Sequence, residues 1–340
     1  MPVSFKRFRE ILDNCRERRI AVIGDLMLDV YLTGSATRMS QEAPVPVLNV
    51  KNKSARLGGA ANVMRNITAL GAKATAFGVV GRDEPGRLLK QLLDEEHIDI
   101  SGLFEDPRKR TTEKMRVMAA SQQIVRIDFE DVSPAAPELI AGMEEKLSAL
   151  IRERQIDALI FEDYNKGLLD RDMVQRITAL AREYKVYTSL DPHPGHPMEV
   201  SGLSIMTPNR SEAFGLAGMY CHDAVSPVEQ DENLKIVAEK VLAAWKCDSL
   251  LITLGAQGMA LFQKGRTVLA IPTKAREVFD VSGAGDTVIA AYTLCRAAGA
   301  TDSEAAEIAN HAAGIVVGKI GTAVTTAEEL LRVFKQDNAK

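Results

Sequence analysis

The chain is predicted to adopt an α/β fold, a three-layer sandwich in which helices cover both faces of a central, mostly parallel sheet, with a small β lid beside it. Two observations predict it. Short β-rich runs alternate with amphipathic helical stretches along most of the 340 residues, and strands separated by helices of that length pair in parallel and are buried on both faces. Residues 31–56 and 111–129 break the alternation and read as extended chain without a helix. Insertions of that kind between βα units build a small second sheet, often over an active site.

Taken in order, residues 1–19 alternate charged and apolar side chains at helical spacing and lack the apolar core of a signal peptide. A strand at 19–28 leads into the stretch 31–56, which contains Pro44 and Pro46 and the alternating Val45, Val47 and Val50. A helix at 60–70, a strand at 72–80 and a helix at 85–96 follow. The stretch 111–129 reads as two short strands around Ala120-Ser121-Gln122-Gln123. Then come helix 138–154, strand 157–161, helix 171–184, strands 186–190 and 203–206, helix 233–246, and strands 250–254 and 259–262. Helices at 285–298, 303–319 and 327–334 close the chain. With no long linker, repeat or low-complexity tract, residues 1–340 are expected to form one domain that carries its lid.

Composition narrows the function classes. Hydrophobic residues make up 46% and charged residues 26%, as in ordinary globular proteins, and the net charge of −4 argues against a nucleic-acid partner. Cys15, Cys221, Cys247 and Cys295 are scattered without a CxxC pair, which fits free thiols in a reducing cytosol. No stretch approaches the ~18 apolar residues of a membrane span, so a cytoplasmic protein without a membrane partner is expected. No GxxxxGK[ST] occurs, and Gly24-Asp25-Leu26-Met27-Leu28-Asp29 stands where a GxGxxG would follow the first strand. His193 and His196 are metal-spaced, but their Pro-rich surroundings read as a turn.

Two motifs carry chemistry. In Asp280-Val281-Ser282-Gly283-Ala284-Gly285-Asp286, small residues let a turn approach a ligand with backbone N–H groups alone, and the following helix aims its positive dipole end there. A carboxylate at Asp286, beside a bound phosphate, suggests a base for an attacking hydroxyl. Gly-rich turns also start many helices, and Asp is common in first turns, so the heptad alone leaves both readings open. The second motif, Gly58-Gly59-Ala60-Ala61-Asn62 with Gly71 and Gly81, permits close approach of a ligand to backbone, with Asn62 offering a donor and an acceptor.

Together these motifs resemble the two signatures of the ribokinase (phosphofructokinase B) family of sugar kinases, departing at Met64, where the family usually has a small residue. A narrower resemblance rests on 24–29, Arg38-Met39-Ser40-Gln41-Glu42-Ala43-Pro44-Val45-Pro46-Val47, Thr112-Glu113-Lys114-Met115-Arg116-Val117, 122–128 and Asp163-Tyr164-Asn165-Lys166-Gly167. These stretches are similar to the family's kinases that phosphorylate D-glycero-D-manno-heptose 7-phosphate at C1, towards ADP-heptose and the lipopolysaccharide core. Glu162 stands where such relatives usually have Ser, and His193 where they usually have Lys. The chain reaches Lys340 without an HxGH-type segment, so the stand-alone kinase form, lacking the adenylyltransferase domain, is expected.

The resemblance implies a ribokinase-like fold and an ATP-dependent kinase. It makes Asp286 the catalytic base, with Gly283, Ala284 and Gly285 supplying N–H groups to the transferring phosphoryl. Asp29, Gly58, Gly59 and Asn62 would cradle the sugar, with Asp25 as an addition or a strand cap. A phosphorylated heptose also needs cations, for which Lys114, Arg116, Arg126 and Lys166 are candidates, unless they are solvated. Asn209 and Glu212 would organise Mg²⁺, largely through water, unless they only cap a helix. Thr253, Gly255 and Gly258 would line the nucleotide phosphates and Asn310 the adenine, with residues 318–322 flanking a K⁺ site. Lid pairing in the family implies a homodimer. The alternatives are another sugar kinase, acting on ribose or fructose, and a sensor that kept the fold without catalysis.

Overall fold

A computed structural model describes residues 3–120, 122–275, 277–319 and 321–337. Ser121, in an expected turn, and Ile320, in the segment expected to flank K⁺, lie outside the described residues. In chain order the elements are α1 (Phe5–Cys15), β1 (Arg19–Gly24), β2 (Leu26–Met39), β3 (Pro46–Gly59), α2 (Ala60–Ala69), β4 (Lys73–Gly81), α3 (Glu84–Glu95) and β5 (Asp99–Asp106). Next come β6 (Thr112–Ala119), β7 (Gln122–Phe129), α4 (Pro137–Arg152), β8 (Ala158–Glu162), α5 (Arg171–Glu183), β9 (Tyr187–Asp191), β10 (Ile205–Met206) and α6 (Arg210–Leu216). The chain continues through α7 (Glu232–Trp245), β11 (Ser249–Thr253), β12 (Met259–Gln263), β13 (Leu269–Ile271), α8 (Ala284–Ala297), α9 (Asp302–Val316) and α10 (Ala327–Asp337).

A nine-stranded sheet runs β13-β12-β11-β10-β9-β8-β1-β4-β5. Its strands from β11 to β5 are parallel, and β12 turns antiparallel at one edge. Helices cover both faces. One apolar cluster joins β1 and β4 to α1, α2, α8, α9 and α10, with Tyr292 and Phe334 among its fully buried side chains. The other packs α4, α5 and α7 around Phe161, Phe214 and Trp245. Burial on both faces is why β1 and β8 read as unbroken apolar runs.

The stretches without helices pair into a second, four-stranded sheet of order β3-β2-β6-β7. It is larger than the sequence suggests. The expected single strand at 19–28 is two strands in different sheets, breaking at Asp25. There the backbone N–H donates to the Glu162 carbonyl at 3.2 Å, and the chain leaves one sheet for the other. β2 and β3 then pair along almost their whole length, from Leu26 opposite Gly59 to Met39 opposite Pro46. The sequence reading also lacks β5, β13 and α6. β5 and β13 are edge strands, with little apolar alternation to announce them, and α6 has only seven residues. The helix expected at 303–319 runs from Asp302 to Val316.

The parallel strands bring their C-terminal ends to one line, with Gly24 opposite Glu162 and Glu162 opposite Asp191. Close approach at that line depends on a missing side chain. A Cβ at Gly24 would lie 2.3 Å from the Glu162 carbonyl oxygen and 2.6 Å from the Glu162 Cβ. Backbone at the centre of a sheet cannot yield, so Gly24→Ala is expected to destabilise the protein by about 1–3 kcal/mol, the usual range for overpacking. A urea titration measures this, with a lower midpoint and an unchanged slope as the expected result.

Candidate functional site

Gly283 caps α8 with φ 76°, and no side chain caps its first turn. A Cβ at Gly283 would fall 2.6 Å from Asn62 Nδ2, so glycine is required by both conformation and space. The N–H groups of Gly283 and Gly285 are thereby left for a ligand, whereas the expected third donor, the Ala284 N–H, donates to the Val281 carbonyl at 3.2 Å. Asp286 sits in this first turn, 6% exposed. Asn62 Nδ2 donates to its Oδ2 at 2.6 Å, and the Tyr164 hydroxyl donates to its Oδ1 at 2.8 Å. Burial raises the Asp286 pKa above the usual carboxylate value; the bonds from Asn62 and Tyr164 oppose that, and the nearby Asp29 charge adds to it.

Asn62 is fully buried on α2, and its Oδ1 has no partner among the described residues. Asp29, on β2, is buried and ion-paired with Arg116 Nη1 of β6. A Cβ at Gly58 would come within 2.9 Å of Asp29 Oδ2, and Gly59, at φ 57°, turns the chain into α2. Gly58 thus packs against Asp29, and Asn62 against Asp286, near the ends of the parallel strands. Asp25 serves its neighbouring loop: its Oδ2 accepts the N–H groups of Tyr164 and Lys166, both at 3.0 Å.

The expected cations separate into different environments. Burial, and next the charges of Lys166 and Arg126, lower the Lys114 pKa, so these three groups share one region. Lys114 Nζ lies 5.7 Å from the centre of the Tyr164 ring. Lys166 pairs with Glu130 at 2.8 Å, and Arg126 with Asp128 at 2.8 Å. Arg116 faces Asp29 and stands over the Tyr31 ring at 5.4 Å.

On the other side of α8 a cavity of about 380 Å³ is lined by Thr253, Gly255, Gly258, Ala284, Gly285 and Asn310, with Val278, Val281, Val288 and Val317 as apolar walls. Asn310 Nδ2 donates to the Pro272 carbonyl at 2.6 Å. Asn209 and Glu212 form a capping box on α6: Asn209 Oδ1 accepts from the Glu212 N–H at 3.0 Å, and Glu212 Oε2 from the Asn209 N–H at 2.7 Å. Asn209 also bridges to Thr253, which carries α6 to the rim of the cavity. His193 and His196 hold a turn, as their prolines suggest. His193 Nδ1 accepts from the Gly195 N–H, and His196 Nδ1 lies 2.9 Å from Asp163 Oδ2. Among the described residues no three His, Cys, Asp or Glu side chains gather to hold a metal ion, and no helix is long and apolar enough to cross a membrane.

Sequence reasoning assigned no role to three groups at the strand ends. Glu162 is fully buried, and neither of its oxygens has a donor among the described residues. Burial, then the charges of Asp191, Asp286 and Asp163, push its carboxyl well above the usual range. Asp191 is raised likewise by burial, then by Glu212 and Asp286, while the Thr207 hydroxyl donates to it at 3.0 Å. The third group is Tyr164. The available signal was a carboxylate ending each apolar strand, at Glu162 and Asp191, where ligands of parallel sheets gather.

The profile described as pfkB family carbohydrate kinase matches residues 17–329. "Bifunctional protein HldE" of Geobacter metallireducens is 42% identical over 328 residues, 96% of this chain. The chain spans 65% of that relative's length. Among solved structures, Arabidopsis thaliana ribokinase complexed with ribose and ATP superposes with a TM-score of 0.71 at 19% identity, covering 94% of this chain and 99% of that one. Escherichia coli phosphofructokinase-2 in complex with substrates and products gives 0.75 at 17% identity over 94% and 99%. These likenesses establish the ribokinase-like fold.

The buried acids make stability depend on pH. A carboxyl whose pKa is raised by folding binds more protons in the folded than in the unfolded state, so stability falls as pH rises above the ordinary carboxylate range. Glu162→Gln is expected to flatten that decline and to exceed the wild type in stability at its alkaline end. Urea midpoints across pH measure it, and a decline as steep as the wild type's would contradict the assignment.

Proposed function

Because the chain belongs to the pfkB family of carbohydrate kinases, we propose that it transfers the γ-phosphoryl group of ATP to the C1 hydroxyl of D-glycero-D-manno-heptose 7-phosphate. The product is the 1,7-bisphosphate, on the route to ADP-heptose. The observation that carries the reading is Asp286: a buried carboxylate at an uncapped helix N-terminus, bonded by Asn62 and beside the glycine-lined cavity, with Asp29, Gly58, Gly59 and Asn62 as the proposed sugar cleft. The gathering of Lys114, Lys166 and Arg126 supports an acceptor that already bears a phosphate.

In this reading Asp29 and Asn62 hold sugar hydroxyls, and Gly58 and Gly59 keep the backbone low enough for the ring to approach. ATP occupies the cavity by Thr253, Gly255, Gly258 and Asn310. As the C1 hydroxyl attacks the γ-phosphorus, its proton passes to Asp286. The new O–P bond forms, the bond to the β-phosphate oxygen breaks, and ADP leaves. The N–H groups of Gly283 and Gly285 face the phosphoryl oxygens, where charge builds in the transition state. Asn209 and Glu212 stand at the rim, where the half-buried Glu212 carboxylate would suit Mg²⁺ held mainly by phosphates and water. That ion supplies neutralisation of phosphate charge. The proposal includes a K⁺ beside 318–322, where the Thr322 hydroxyl is buried without a partner among the described residues.

The second sheet is the proposed lid, closing over the sugar and excluding water that would hydrolyse ATP. Met39, Val45, Val50, Ile124, Val125 and Ile127 are exposed on it. Such a surface supports a homodimer through the lids. ADP release measured across sugars and sugar phosphates tests the substrate. Turnover is expected on the heptose 7-phosphate and not on the unphosphorylated heptose. Strong turnover of free ribose or fructose, with none on the heptose phosphate, would replace this reading with that of another sugar kinase.

A further inference from the structure

We propose that Tyr164 is a positioning residue for Asp286, and that the loop following β8 is built to aim its hydroxyl at that carboxylate. The inference rests on the reading of Asp286 as the base.

A carboxylate acting as a base needs a fixed plane and a free lone pair directed at the acceptor hydroxyl. At Asp286 the plane is set from two elements far apart in sequence. Asn62, on α2, holds Oδ2 at 2.6 Å, and Tyr164 holds Oδ1 at 2.8 Å. Each oxygen keeps a further acceptor site for substrate. Asn62 alone would leave the carboxylate free to swing about its Cβ–Cγ bond.

The loop carrying Tyr164 is pinned more heavily than a surface connection requires. Asp25 Oδ2 accepts from the N–H groups on both sides of Asn165, those of Tyr164 and Lys166, at 3.0 Å each. Asp163 Oδ1 accepts the Asn165 N–H at 2.8 Å, and Asn165 itself is held at φ 56°. Gly167, at φ 84°, passes so close to Ser133 that a Cβ would lie 2.3 Å from its carbonyl oxygen. These contacts fix the backbone on both sides of the phenol. The lid reaches the same ring, through the Lys114 ammonium 5.7 Å from its centre. The lid strand that carries the cation region is thus coupled to the side chain that orients the base.

The phenol suits a permanent donor. Burial, followed by the Asp286 charge, holds it well above its usual pKa, so it stays protonated and cannot take the substrate's proton itself. Four other titratable groups act on Asp286 or Tyr164 from the surrounding elements. Asp29 faces Asp286 from β2, Glu162 and Asp191 face it from the ends of β8 and β9, and Lys114 faces the Tyr164 ring from β6. Of the groups acting on Asp286, Asn62 and Tyr164 are its side-chain donors, and both lower its pKa.

Tyr164→Phe keeps the ring and removes the donor. In ligand-free protein labelled with [¹³C]carboxyl aspartate, the resonance that disappears in Asp286→Asn reports the base. Its pKa is expected to rise by about one unit in Y164F, as for loss of a hydrogen bond to a charged acceptor. With the heptose 7-phosphate and MgATP, kcat should fall about tenfold with little change in KM, and the acid limb of the rate profile should move to higher pH. A Y164F protein that folds normally by urea titration, with an unshifted Asp286 resonance, overturns the proposal. The two readings fail separately. Full turnover by D286N would remove the base assignment, whereas an inactive D286N beside a wild-type-like Y164F would remove only the role of Tyr164.

Discussion

The hydrogen bond from Asn62 to Asp286 joins residues 224 positions apart, and the architecture of the cleft is arranged around it. Gly59 turns β3 into α2, which presents Asn62. Gly283 turns the chain into α8, which presents Asp286. Each glycine sits at positive φ, and the space where a side chain at Gly283 would stand is occupied by the Asn62 amide. The two glycine motifs that stand far apart in the sequence are therefore two halves of one contact. It seats a carboxylate at the positive end of a helix, where the same dipole favours phosphate.

Electrostatics adds a second constraint. Asp286, Glu162, Asp191 and Asp29 crowd one end of the sheet, and burial raises the first three above the ordinary range. Such a cluster is tolerated because burial favours the uncharged forms of Glu162 and Asp191, and because Asn62 and Tyr164 donate to Asp286 and Thr207 to Asp191. Burial leaves Asp286 more basic than a solvated aspartate, opposed by the bonds from Asn62 and Tyr164. Asp29 is held separately by Arg116, across the neighbouring strands β2 and β6 of the second sheet.

Much of this was legible in the chain. Alternating apolar runs and amphipathic stretches announced the parallel sheet, because burial on both faces leaves an unbroken apolar strand such as 158–161. The heptad 280–286 and the motif 58–62 announced the two halves of the cleft, since only glycine permits those turns. Other features left no local trace. The break at Asp25 between two sheets depends on Glu162 and the loop of Tyr164, both remote in sequence. The edge strands β5 and β13 lack the periodicity that burial imposes. Asn209 and Glu212 cap α6, and the bridge from Asn209 to Thr253 sets them beside the cavity that Thr253, Gly255 and Asn310 line. The roles of Tyr164 and Glu162 arise from tertiary approach to Asp286 and Asp191, which no spacing rule encodes.

In the proposed reaction one carboxylate, Asp286, stands between a sugar phosphate and a nucleotide. A crystal structure with the heptose 7-phosphate and a non-hydrolysable ATP analogue would show it. The C1 oxygen is expected within about 3 Å of an Asp286 oxygen, the reach of a general base, with the γ-phosphate against the N-terminus of α8 and the 7-phosphate among Lys114, Lys166 and Arg126. A sugar seated with its hydroxyls turned from Asp286, or a nucleotide outside the cavity lined by Gly255, Gly258 and Asn310, would contradict it.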